Sequence, residues 1–166
     1  MRTLLLTSLI LAACGGSALN DASADDLTYG EPMHWVSMAA QAATDYAANP
    51  QLMHLEGKPA GKGYGWTFLF RGDLGYWAAV VCDGKTAQVT EHYQMIEPPL
   101  GMTAIDTAGV KITVAKLKSI ASKAGCASMH AIELDQPLTV SPDPHWMADS
   151  GEKQVFVDAT TGAVLQ

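Results

Sequence analysis

The chain has 166 residues, 48% hydrophobic and 16% charged, with a net charge of −7. This is a globular composition, enough for one medium domain or two small ones. Ten basic residues against seventeen acidic ones exclude a nucleic-acid partner, whereas an acidic surface steers a basic protein toward it.

Residues 1–13 place Arg2 ahead of a short apolar run from Leu4 to Ala13. The run is too short to span a bilayer as a helix, which takes about 20 residues, and reads as the apolar core of a signal peptide. It closes on Leu11-Ala12-Ala13-Cys14, which resembles the lipobox of bacterial lipoproteins. The resemblance implies cleavage before Cys14, lipidation of that cysteine and a periplasmic protein held to a membrane by its lipid alone. Gly15 stands where an aspartate marks inner-membrane retention in enterobacteria, which implies the outer membrane of a Gram-negative cell. Residues 14–31 read as a tether.

Residues 32–48, PMHWVSMAAQAATDYAA, predict a helix. Pro32 suits its entry, Asn49-Pro50 its exit, and Trp35, Ala39, Ala42 and Tyr46 form one face. Strands are then expected in QLMHLEG, GYGWTFLFRG, YWAAVVCDG and KTAQVTEHYQM, with Asp83-Gly84 as a hairpin turn of type I′. Residues 98–109 carry prolines and glycines and read as a linker.

A second helix is expected over 113–124, capped by Thr113 and stopped at Gly125, with Val114, Leu117, Ile120, Ala121 and Ala124 as its apolar face. SMHAIELDQPLTV, DPHWMAD and KQVFVDATTGAVLQ follow as strands. The halves 32–97 and 110–166 therefore share an order of helix first, strands after. Gln51–Glu56 aligns with Ser128–Glu133, Trp66 with Trp146, and Val80-Val81-Cys82-Asp83 with Val155-Phe156-Val157-Asp158. The expected fold class is α+β, with two tandem repeats, each a helix packed on an antiparallel sheet of three to four strands.

The ending VFVDATTGAVL and the helix ITVAKLKSIASKAG resemble PepSY domains, small exported α+β modules. The likeness is clearer in the second repeat than in the first. Its turn needs no catalytic role, because Asp158 can accept turn amides and Gly162 can take positive φ. PepSY modules imply regulation or inhibition of an exported enzyme, a peptidase or peptidoglycan hydrolase. The inhibitory proteins of β-lactamase offer an architectural analogy, being tandem α+β repeats with an open sheet.

Cys82 and Cys126 remain once Cys14 is lipidated, and in an exported protein such a pair reads as a disulfide. Its closed loop would contribute about 4 kcal/mol. The other reading is two free buried thiols. No catalytic motif is present, so binding is expected in preference to catalysis, and no cofactor. The expected contact surface is an aromatic sheet face carrying Trp66, Tyr76 and Trp77, with Asp73 and Asp149 as an acidic rim. Met-His occurs three times, and thioether with imidazole suits Cu(I). Met33, His34, His145 and Met147 are thus an alternative copper set. A purely structural envelope lipoprotein is a further alternative.

Overall fold

The computed structural model describes residues 30–60, 63–97, 102–136 and 143–165. The signal segment, Cys14 and the tether as far as residue 29 lie outside these.

A 3-10 turn at Pro32–Trp35 leads into helix α1, Val36–Ala43. Four strands follow: β1 Gln51–Ala60, β2 Gly63–Arg71, β3 Tyr76–Cys82 and β4 Ala87–Gln94. Helix α2, Val114–Lys123, then precedes β5 Ala131–Asp135, β6 His145–Asp149 and β7 Gln154–Asp158. The strands join into one seven-stranded antiparallel sheet in the order β4-β3-β2-β1-β5-β6-β7. Each half builds outward from its first strand, and β1 and β5 meet as the seam. The expected α+β class holds, with the four-stranded and three-stranded parts merged into a single sheet.

Strand alternation decides what is buried. Residues directly opposite in an antiparallel pair share a face. Leu55 opposes Phe68 and Leu134, Trp66 opposes Gly57 and Cys82, and Trp146 opposes Leu134 and Val157. All of them point toward the helices and share one core with Ala39, Ala43, Val114, Leu117 and Ala121. Both helices therefore cover the same face. Trp146 Nε1 also donates to the Ile112 carbonyl at 2.9 Å, tying the approach to α2 down to β6.

Helix α2 forms as expected. Thr113 caps it by accepting from the Lys116 amide at 3.2 Å, and Gly125 ends it at φ 93°. Helix α1 departs from expectation. It is shorter, and its buried stripe is Ala39, Ala43 and the following Ala47. Alanines at four-residue spacing let the backbone lie close on β2–β4. Tyr46 stays outside and stacks on His92 with ring centroids 4.5 Å apart. The β3–β4 connection also differs from a two-residue type I′ turn. It spans residues 83–86, and only Gly84 takes positive φ, pressed against the Trp35 ring.

The expected disulfide is not formed. Cys82 and Cys126 are free, buried thiols. Cys82 Sγ lies 3.9 Å from Met38 Sδ under α1, while Cys126 Sγ lies 3.7 Å from the Ala148 carbonyl oxygen on β6. Strands β3 and β6 stand four places apart in the sheet. That is about 19 Å along it, beyond the ~7 Å between Cα atoms that a disulfide spans. Each half keeps its own cysteine because sheet order, not loop length, sets the distance.

Candidate functional site

The structure corrects the expected aromatic surface. Trp66 is fully buried on the helix-covered face. Trp77 points to the helix-free face but is equally buried, under a roof of its own. Its Nε1 donates to the Met95 carbonyl at 3.0 Å, Tyr93 stacks on it at 6.1 Å, and the Arg71 guanidinium lies 5.9 Å from its ring centroid. Neither tryptophan is free to meet a partner. The two acids of the expected rim are also separated. Asp73 follows Arg71, which pairs with the first residue of β1, whereas Asp149 pairs with Ala131, toward the far end of β1.

Among the described residues, the two most exposed large hydrophobes lie at the β2–β3 turn and in the segment after β4 that packs beside it. Tyr76 is 42% exposed, Leu74 81% and Ile96 76%. Leu74 and Ile96 are brought together because Gly75, at φ 72°, lets the chain at residues 95–96 pass close by. A Cβ on Gly75 would lie 2.7 Å from Ile96 Cα. The Met95 amide donates to the Gly75 carbonyl at 2.8 Å, and Gln94 Nε2 to the Leu74 carbonyl at 3.2 Å. Leu74 itself sits at φ 58°, a left-handed backbone that a γ-branched side chain rarely adopts. Beside it, the Asp73 amide donates to the Ala48 carbonyl at 2.8 Å, and the Asp73 carboxylate accepts from Asn49 Nδ2 at 2.6 Å. The turn is thus held rigidly while presenting two aliphatic side chains, a tyrosine and an acid. Asp73 was legible as a turn residue and Tyr76 as a strand aromatic. Leu74 and Ile96 were missed, since no pattern in the sequence marks a hydrophobe at a turn as exposed.

A second cluster occupies the helix-free face at the seam. Strand alternation puts His54, Glu56 and Lys58 of β1 and Glu133 and Asp135 of β5 on this face. The β1–β5 ladder has Leu55 opposite Leu134, Glu56 opposite Glu133 and Gly57 opposite Ile132. Glu56 and Glu133, aligned with each other in sequence, therefore face each other directly. His54 Nδ1 bonds Asp135 Oδ1 at 2.7 Å, and Lys58 Nζ reaches Glu56 Oε1 at 2.6 Å. Burial opposes the charged form of His54, but the hydrogen bond and charge of Asp135, with Glu133 and Glu56 adding to them, raise its pKa above the ordinary value. Burial raises the pKa of Glu133, and the Asp135 and Glu56 carboxylates add to this against the opposing pull of His54 and Lys58. The cluster was missed at the sequence level. Its i, i+2 spacing on both strands was visible, but not that β1 and β5 are neighbours.

The alternative copper set is not assembled. Met33 packs against the core on the helix side, and His34 lines a shallow pocket with Glu31, Lys111 and Thr113. His145 and Met147 lie on β6 on the opposite, helix-free face, as the neighbours of the core-facing Trp146. Among the described residues, no helix is long and apolar enough to cross a membrane.

No protein-family model matches the chain. No curated protein matches it in sequence. In structure the chain is similar to a protein of Clostridium difficile 630 described as a candidate lipoprotein, with 16% sequence identity and a TM-score of 0.52. The match covers 79% of this chain and 90% of that one, and what it establishes is a shared fold.

Proposed function

We propose that the protein is a lipid-anchored binding module of the bacterial envelope that docks an exported protein through its β2–β3 turn. The observation that carries this reading is Leu74, 81% exposed on left-handed backbone in a turn that is otherwise hydrogen-bonded into place. Strain held at an exposed hydrophobe is characteristic of a contact residue. Ile96 and Tyr76 extend the apolar patch, and Asp73 supplies a charge at its rim. A turn already fixed in shape loses little freedom on binding.

The lipobox-like Leu11–Cys14 supports an anchor at Cys14, and the fold shared with a candidate lipoprotein agrees with it. Gly15 favours the outer membrane. The segments 32–97 and 110–166, joined by 98–109, are read as PepSY-like units. Their resemblance favours control of a peptidase or peptidoglycan hydrolase by occlusion, not catalysis. A net charge of −7 favours a basic target.

The test uses the purified protein as immobilised bait against envelope extract containing a chelator. Three forms are compared: wild type, the turn variant Leu74→Asp/Ile96→Asp, and the sheet-face variant Val81→Asp/Phe156→Asp. The expected result is one stoichiometric exported protein held by wild type and the sheet-face variant and lost by the turn variant at unchanged Tm. Retention by the turn variant, or loss in the sheet-face variant alone, would move the contact elsewhere. The absence of any stoichiometric partner would sink the binding reading.

A further inference from the structure

We propose that the seam cluster is a divalent-metal site, taking Zn²⁺ or an ion of similar preference through His54, Glu133 and Asp135. One imidazole nitrogen and two carboxylate oxygens from these residues lie within 4.8 Å of one another. Zinc–donor distances of about 2.0–2.2 Å put two donors of a tetrahedral ion about 3.4 Å apart. Small side-chain rotations close that gap, and all three side chains are only partly buried, so the site is open to entry. The donors are nitrogen and oxygen with no sulfur, which suits zinc and disfavours Cu(I).

Two observations outside the triad point to a cation. First, Glu56 stands directly opposite Glu133 in the ladder. Like charges in that position repel, and Lys58, which bonds Glu56, is itself two-thirds exposed. A dication would relieve the excess charge. Second, His145 is directly opposite Asp135 on β6 and on the same face. Its Nδ1 is buried and has no hydrogen-bond partner among the described residues. Buried polar atoms without partners are rare, and this one belongs to a histidine on the strand beside the triad, where its ring packs edge-on to Phe156 and it also pairs with Asp158 of β7. An ion here would tie β1 to β5 where the ladder is shortest, clamping the two halves of the sheet. The site is independent of the partner contact at the β2–β3 turn.

The test titrates the chelator-treated protein with Zn²⁺ by calorimetry and follows Tm in parallel. One ion per chain and a rise in Tm are expected. Glu133→Gln leaves the His54–Asp135 bond in place, so it keeps the fold while removing a donor. It should weaken binding by about tenfold or more, at least as much as losing an outer-sphere partner does. Asp135→Asn should do the same, and His92→Gln and His130→Gln should change nothing. No saturable binding would overturn the proposal. So would binding that survives Glu133→Gln undiminished, or that is lost with His92 or His130, because the ion would then sit on surface histidines.

Discussion

Leu74 places a leucine where glycine or asparagine would rest more easily. Left-handed backbone costs a residue of this kind about 1–2 kcal/mol, and its exposed side chain recovers little by burial. Leu74→Asn should therefore stabilise the protein by about 1 kcal/mol in urea unfolding while weakening partner capture. A loss of stability would mean that the side chain packs after all. The turn aspartates act in the opposite sense. Asp158 accepts the Thr160 and Thr161 amides at 2.9 and 2.7 Å, and Asp83 accepts those of Lys85 and Thr86 at 2.8 Å each. Asp149 accepts from the Gln154 side chain and the Gly151 amide. These bonds hold all three carboxyls below their ordinary pKa, the Thr161 amide being the main cause at Asp158. A depressed carboxyl stabilises the fold above the unfolded value of about 3.9. That contribution fades as pH falls through the folded value. Tm should accordingly drop below about pH 4, and Asp158→Asn should lower Tm at neutral pH and flatten the acid dependence. An unchanged acid limb in the variant would remove Asp158 from this account.

At the scale of the elements, packing hinges on Gly57. A Cβ there would come within 2.6–2.8 Å of the Trp66 ring. Trp66 is fully buried and cannot swing away, so Gly57→Ala should destabilise by about 1–3 kcal/mol, read as a lower urea midpoint. An unchanged midpoint would show that the ring can shift. The elements themselves were largely legible. Thr113 and Gly125 mark α2 because capping and positive φ are local chemistry, aromatic-rich runs mark β2 and β3, and apolar–polar alternation marks β1. The terminal DATTG was legible as a turn for the same reason, and Gly162 does take φ 81°. The faces were not legible. Trp66 and Trp77 differ by an odd number of sheet positions through pairing register, and nothing in either sequence neighbourhood says which side the helices cover. The burial of Trp77 depends on Met95 folding back over it, a contact across 18 residues. Likewise the Met53–His54 pair falls at a register shift in β1 that only the β1–β2 pairing reveals.

Across the whole molecule, the two halves share a core and a single sheet, so they should unfold together. Calorimetry should give one transition with matching calorimetric and van't Hoff enthalpies, whereas two resolved transitions would show the halves to be independent. The unpaired cysteines make a further prediction. Protein lacking Cys14 should titrate two thiols per chain in denaturant without reductant, and reductant should leave Tm unchanged. One disulfide and no thiols would require β3 and the end of α2 to approach far more closely than they do. Both helices, with Trp66, Trp146, Phe68 and Phe70, serve the core, and among the described residues the most exposed large hydrophobes are Leu74 of the rigid turn and the nearby Ile96.

That turn is the centre of the account, and photo-cross-linking in intact cells tests it most directly. A photoreactive residue placed at position 74 should give a discrete adduct with one envelope protein, and the same residue at position 116, exposed on α2, should give none. An adduct at 116 with none at 74 would contradict docking through the β2–β3 turn and assign the contact to the helix side.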